Sequence, residues 1–241
     1  MLRSMPEPGP IALVGSGEFL PSMDDIDASL LAASGRSRPR VAILPTASWP
    51  DGEEVFRRWA TMGAEHFAKL GAEVEPVLVR DRFDADDEAP AQAIGEADLV
   101  YLSGGKPGHL TDSLLGTRVG DALVAAHARG AAVAGCSAGA MILAGRHFDF
   151  RVRRMLWPLR WSESLALVPR ATVIPHYDAW PEAFSAAFVL QSPRDLITLG
   201  IDEDTAAIGR DGAWQVQGAG RVTVWRGRHR ERFRRGDVFR L

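Results

Sequence analysis

The sequence is poor in cysteine, in lysine and in long apolar runs. Its one cysteine, Cys136, excludes an intramolecular disulfide framework. No Cys/His group has zinc spacing and the six histidines are scattered, so no metal is expected. Lysine occurs only as Lys69 and Lys106, which leaves nearly all positive charge on arginine. A basic excess is also missing. The chain has 28 Lys and Arg against 31 Asp and Glu, a net charge of −3, which argues against a dedicated nucleic-acid binder. The longest uncharged run, Gly130–Gly145, has 16 residues and falls short of the roughly 20 needed to cross a bilayer. The first eight residues contain no apolar stretch of the secretory kind. The expectation is a cytoplasmic chain with neither a nucleic-acid nor a membrane partner.

What is present is an ordinary globular composition, 46% hydrophobic and 24% charged, in 241 residues. A chain of that length buries a sizeable core without covalent staples. No repeat or low-complexity linker interrupts it. Apolar runs at Ile11–Gly15, Val41–Pro45, Val74–Val79, Leu99–Leu102 and Ala131–Cys136 read as strands. Helical stretches lie between them. One runs from about Asp51 to Leu70 with Val55, Trp59 and Met62 on one face, another over Arg118–Ala128, and a third opens at Ser137–Leu143. Strands alternating with helices predict an α/β domain with a mostly parallel sheet flanked by helices. Further on, Val173–His176, Leu196–Ile201, Ala206–Gly209, Trp214–Gln217, Val222–Trp225 and Asp237–Leu241 predict an antiparallel β-rich C-terminal part with turns at Asp211-Gly212 and Gly218–Gly220. The expected organisation is a flexible arm over residues 1–10 and a single domain over residues 11–241. Arg221–Arg240 carries eight arginines, whereas Asp84–Glu96 has no basic residue; both read as solvated surface.

The strongest chemical signal is Gly135-Cys136-Ser137-Ala138-Gly139, a G-x-S-x-G sequence between a buried strand and an apolar helix. A nucleophile on such a turn takes strained backbone angles, and side chains at the flanking glycines would clash. The turn lifts the Ser137 hydroxyl off the sheet and aims helix N-terminal amides at the same space, so the Ala138 N–H is a candidate oxyanion donor. A small-residue packing run is the competing explanation, and the strand–turn–helix context weighs against it. Ser103-Gly104-Gly105 follows another strand, where backbone can approach a ligand closely. Gly15-Ser16-Gly17 is similar, but Leu20 stands where a dinucleotide loop needs its third glycine, so this loop is expected to line a site rather than hold phosphate.

A serine hydroxyl needs a base. His66 and His127 fall inside helical stretches, His229 in the arginine-rich tail, His109 beyond the Gly-Gly loop, and His147 only ten residues past Ser137. His176 ends the apolar strand Val173-Ile174-Pro175, on what reads as the carboxyl edge of the same sheet, and position favours it. The orienting carboxylate is left open between Asp202-Glu203-Asp204, after another strand, and Asp178, beside His176.

Taken together, these blocks resemble a known family. Gly135-Cys136-Ser137-Ala138-Gly139-Ala140 is preceded by Tyr101-Leu102-Ser103-Gly104-Gly105 and followed by Gly200-Ile201-Asp202-Glu203-Asp204-Thr205-Ala206. In that order they resemble the dipeptidase E and cyanophycinase group of serine peptidases. Gly15-Ser16-Gly17-Glu18-Phe19 is similar to that group's opening motif, and Pro175-His176-Tyr177 to its histidine followed by an aromatic residue. The resemblance implies a fold related to class I glutamine amidotransferases, with serine in place of their cysteine. It implies Ser137 as nucleophile, His176 as base, Glu203 as orienting acid, and the Gly105 and Ala138 amides as oxyanion hole, without a cofactor.

The chain also departs from the group. After His176 comes Tyr177-Asp178-Ala179-Trp180-Pro181-Glu182, with no arginine where the cyanophycinase branch clusters several to grip an aspartyl-arginine polymer. Lys106-Pro107 stands near a position where that branch carries a glutamine. The expected substrate is therefore a small peptide, an Asp-containing dipeptide being the form that dipeptidase E takes. Gly17 and Lys106 are expected at its binding site. Arg151, Arg153 and Arg154 read first as solvated loop residues and second as carboxylate ligands. Trp157 and Trp161 are expected to cover the site or to pack on the domain. An amidase or transferase acting on a non-peptide amide fits the same residues, as does a non-catalytic binding protein that keeps the fold. An exposed strand edge in the β-rich tail offers pairing with a second copy, a homodimer.

Overall fold

The structure, a computed structural model, describes residues 7–148, 159–210 and 212–241. The short apolar runs become the strands of a sheet that is buried on both faces except along its edge at residues 73–76, where Glu73 and Glu75 are exposed. β1 (Ile11–Val14), β2 (Arg40–Leu44), β3 (Glu73–Pro76), β4 (Leu99–Leu102) and β5 (Ala132–Cys136) pair in parallel in the order β1-β5-β4-β2-β3. Alternate residues face opposite sides, as the pleat requires. Ile11 and Leu13 of β1, with Val100 and Leu102 of β4, join one core; Ala12, Val14, Leu99 and Tyr101 join the other.

Helices cover both faces. The first core is closed by α3 (Arg82–Ala85), α4 (Glu88–Glu96), α5 (Pro107–Leu114), α6 (Arg118–Ala128) and α7 (Ala138–Leu143). The second is closed by α1 (Asp24–Ala32) and α2 (Glu53–Lys69). The buried stripe of α2 sits one residue over from the expected one. Phe56, Ala60, Gly63 and Phe67 are fully buried, and Val55, Trp59 and Met62 lie half-buried beside them. Small residues explain the shift. A Cβ at Gly63 would stand 2.9 Å from the Phe19 ring and 3.0 Å from Ile43. The helix therefore packs closest where its side chains are smallest, and apolar counting ignores such positions.

The C-terminal half builds two further units. β6 (Arg146–Phe148) and β7 (Trp161–Glu163) form a hairpin. β8 (Ala171–Ile174), followed by α8 (Glu182–Gln191), pairs in parallel with β9 (Ile197–Ile201). β10 (Thr205–Arg210) runs antiparallel to β1, and β11 (Ala213–Gly218) and β14 (Val238–Arg240) extend that edge. β12 (Arg221–Arg226) pairs onto β9 instead, and β13 (His229–Arg234) pairs onto β12. The main sheet is thus mostly parallel with an antiparallel C-terminal edge, and β13-β12-β9-β8 is a second sheet.

This corrects one expectation: the strand ending at His176 does not lie in the sheet that carries Ser137. The chain changes sheets at Asp202–Asp204, directly between β9 and β10. Asp202, 3% exposed, fixes that crossing by accepting the Arg221 N–H at 2.9 Å. β13 was not anticipated because it is exposed along most of its length and carries no apolar alternation. Of residues 1–10, Gly9 donates to the His127 carbonyl and Pro10 accepts from Val133, both at 2.9 Å. Asp211, Arg151, Arg153, Arg154 and Trp157 lie outside the described residues. Among the described residues no helix is long and apolar enough to cross a membrane.

Candidate active site

Ser137 stands on the sharp turn from β5 into α7. Its backbone has φ 50° and ψ −108°, strained for a residue with a Cβ. The flanking glycines are there for space. A Cβ at Gly135 would lie 2.4 Å from the Gly139 carbonyl carbon, and one at Gly139 would lie 2.4 Å from the Leu102 carbonyl oxygen. Ser137 alone is half-exposed within the otherwise buried run Ala132–Leu143. Its hydroxyl is 3.1 Å from His176 Nε2.

His176 follows β8 in the left-handed conformation, φ 50° and ψ 40°. Its Nδ1 is 2.8 Å from Glu203 Oε1, on the turn after β9. A carboxylate accepts only, so Nδ1 carries the proton and Nε2 is left to accept from the Ser137 hydroxyl. Serine, imidazole and carboxylate stand in one hydrogen-bonded line. Asp178, the rival acid, serves another purpose: its Oδ1 accepts the Glu203 backbone N–H at 2.9 Å and braces the turn. Tyr177 lies against Gly200 of β9, and its hydroxyl accepts from Trp225 Nε1 at 3.0 Å. The His176 turn is therefore stapled to the second sheet.

Gly105 forms the facing wall. Its neighbours' amides are committed: the Gly104 N–H donates to Glu18 Oε1 at 2.9 Å, and the Lys106 N–H to the Ala47 carbonyl at 2.7 Å. Gly105 itself has φ 142°, and a Cβ there would stand 2.3 Å from the Ala47 carbonyl oxygen, so the position admits only glycine. With Ser137, Ala138, Met141, Phe148, His176 and Trp180 it lines a cavity of about 260 Å³. The apolar part of that wall is an aromatic cluster in which Phe148 stacks near Phe188 at 4.8 Å and meets Trp161 edge-on at 5.9 Å. Lys106 also borders the cavity, its ammonium 3.1 Å from Asp51.

The structure thus brings together Ser137, His176, Glu203, Gly105, Ala138 and Lys106. It does not bring Gly17 to the cavity. Gly17, at φ 88°, lies against Asp204, whose Oδ1 would be 2.1 Å from a Cβ there. The residue of that loop which reaches the site is Glu18. Buried, it accepts from Gly104 through Oε1 and from the Cys136 thiol at 2.8 Å through Oε2. The sequence leads one to expect this loop at the site through Gly17, and it gives Glu18 no role of its own. Burial and the Glu18 charge push the Cys136 thiol well above its ordinary pKa, which keeps it protonated.

The other histidines are engaged elsewhere. His66 Nε2 pairs with buried Asp27 Oδ2 at 2.7 Å, His147 Nδ1 with Ser164 at 2.9 Å, and His109 with the Arg80 carbonyl at 2.8 Å. Burial holds the Asp27 carboxyl above the usual range. Among the described residues no three His, Cys, Asp or Glu side chains stand close enough to hold a metal ion.

Comparison with known proteins identifies the family. The chain is 28% identical over 225 residues to cyanophycinases of Trichormus variabilis and of a Nostoc species, covering 89% of this chain and 72% of theirs. Among solved structures it is similar to a peptidase from an acI-B1 Actinobacterium, 30% identical, with a TM-score of 0.88 over 99% of both chains. It shares its fold with a candidate peptidase E protein of Listeria monocytogenes EGD-e, 18% identical, with a TM-score of 0.63 over 88% of this chain and 100% of that one. The sequence model of peptidase family S51 matches residues 11–216, a span that runs from β1 through the serine turn and the His176 and Glu203 turns into β11. The protein belongs to peptidase family S51 and is a serine-type peptidase.

Proposed function

We propose that the protein hydrolyses a small peptide through an acyl-enzyme formed on Ser137. The hydrogen-bonded line Ser137 Oγ–His176 Nε2–Glu203, at 3.1 and 2.8 Å, carries this reading. Ser137 Oγ attacks the scissile carbonyl carbon as His176 Nε2 takes its proton. The carbonyl oxygen becomes an oxyanion received by the Gly105 and Ala138 amides. Collapse breaks the C–N bond, and His176 returns the proton to the departing amine. Water, deprotonated by the same imidazole, then attacks the ester and releases the acid and Ser137. Glu203 holds the imidazole orientation and offsets the imidazolium charge.

The cavity volume of about 260 Å³ supports a small substrate rather than a folded one. Lys106 supports a substrate that bears a carboxylate, as in an Asp-containing dipeptide, because its partly exposed pairing with Asp51 is exchangeable. The test is reaction with a fluorophosphonate probe followed by mass spectrometry of the labelled peptide. The expected result is modification at Ser137, absent in Ser137→Ala and His176→Ala, and slowed by Asp-containing but not by neutral dipeptides. An unmodified wild type, or labelling that survives His176→Ala, overturns the mechanism. Equal protection by both kinds of dipeptide overturns the acidic preference alone.

A further inference from the structure

The proposed reaction makes no use of Glu18, yet this carboxylate is buried beside the reacting serine. It is 7% exposed, in a protein where most acids lie at the surface. Its loop is built to hold it there. Gly17 and Phe19 on either side both take positive φ, 88° and 64°. Gly17 is pressed against Asp204, and the Phe19 ring is locked among Tyr101, Phe67 and Trp59 at 5.1, 6.2 and 6.2 Å. Each carboxylate oxygen then meets a donor from a different element, one on the glycine loop and one at the end of β5. Oε1 takes the N–H of Gly104, the residue before Gly105, and Oε2 takes the thiol of Cys136, the residue before Ser137.

We infer that Glu18 is a positioning residue that sets the oxyanion-binding amide of Gly105 against Ser137, an inference that rests on Ser137 being the nucleophile. Two peptide groups of the loop are pinned in opposite ways. Gly104 donates to Glu18 and Lys106 to the Ala47 carbonyl, which leaves the Gly105 N–H without a partner among the described residues, on the cavity wall. The carboxylate lies close against residue 104, where a Cβ would stand 2.8 Å from Oε1 and 3.3 Å from Ser137 Cβ. A charge-assisted bond holds a peptide plane more firmly than a neutral one. The same side chain ties the serine turn to the glycine turn, so the distance between attacking oxygen and oxyanion donor is fixed by one residue. Without an acceptor at 18, the buried Gly104 N–H must rotate to find one and carries Gly105 with it.

The test compares fluorophosphonate labelling rates at Ser137, per folded molecule of the full chain, in Glu18→Gln, Glu18→Met and Glu18→Asp. Glutamine can offer its carbonyl to Gly104 and its amide to the Cys136 sulfur, so its rate should stay within about threefold of wild type. Methionine fills the space without an acceptor and should label about 100-fold more slowly, the size of a lost oxyanion donor. Aspartate keeps the charge but falls one methylene short of Gly104; it should lose about tenfold, and it decides the matter if the methionine variant does not fold. The pH midpoint of labelling should be the same in all variants, because His176 and Glu203 stand on other loops. Wild-type rates in methionine or aspartate would overturn the inference. A glutamine variant as slow as methionine would assign the effect to charge instead, and a displaced midpoint would assign it to His176. A wild type that resists the probe fails the catalytic reading itself and takes this inference with it.

Discussion

Residue 203 decides which imidazole nitrogen carries the proton. With a carboxylate 2.8 Å from His176 Nδ1, the proton stays on that nitrogen and Nε2 faces Ser137 with its lone pair. A glutamine can turn its NH2 toward Nδ1 and favour the opposite tautomer. Glu203→Gln should therefore slow labelling of Ser137 by about 100-fold or more while leaving the melting temperature within a few degrees, since the side chain is half-exposed. An unaffected rate would remove Glu203 from the mechanism. At this scale much was legible. The serine was marked by its flanking glycines, and His176 by its place at a strand end. The choice between Glu203 and Asp178 was not legible from the residues, because both stand beside strand ends. It turns on which one faces the ring and which accepts the Glu203 backbone N–H, a matter of distances.

At the scale of elements, the reacting groups come from two sheets. β5 and α7 present Ser137 from the main sheet, while β8 and β9 present His176 and Glu203 from the second. Their alignment depends on how the His176 turn sits on β9, and Gly200 controls that contact. A Cβ at Gly200 would stand 2.3 Å from the Tyr177 ring. Gly200→Ala should push Tyr177 outward, weaken its bond to Trp225 and draw His176 from Ser137. Labelling should fall about tenfold, with a destabilisation of about 1–3 kcal/mol by urea unfolding. Retention of both the rate and the stability would show that the turn is held by other contacts. The motif Gly200-Ile201-Asp202-Glu203-Asp204 was visible in the sequence, but a glycine inside a strand does not declare the ring that lies on it.

For the molecule as a whole, the serine turn rests on the buried pair of Cys136 and Glu18. Cys136 is fully buried against Glu18, and both burial and that charge keep its thiol protonated in the folded state. In the unfolded chain the thiol ionises above about pH 8.5. The folded pKa is the higher of the two, so the stabilisation is complete below about pH 8.5 and is lost progressively as pH rises from the unfolded value toward the folded one. The loss from this one proton is about 1.4 kcal/mol per pH unit. Serine keeps a donor for Glu18 and does not titrate. Urea unfolding from pH 7 to 10 should therefore show Cys136→Ser declining less steeply than wild type above about pH 8.5. Parallel curves would mean that the thiol already ionises in the fold. Tyr101, likewise pushed well up by burial, is present in both proteins and cancels from the comparison.

The sequence by itself determined the parallel core, the serine turn and the identity of most groups around it. Those are local properties: a buried strand needs a continuous apolar run, and a strained strand-to-helix turn needs glycines at fixed offsets. Tertiary structure decided the rest. It divided the C-terminal strands between two sheets, because Asp202 ties the chain crossing to Arg221 rather than to its neighbours in sequence. It moved the buried stripe of α2 onto Ala60 and Gly63, where close approach replaces apolar bulk. It turned Gly17 against Asp204 and sent Glu18 under the serine, 118 positions from its Cys136 donor. A carboxylate buried by partners that distant carries no mark in its own segment, since what makes it stable is the pair of donors that only the folded chain assembles.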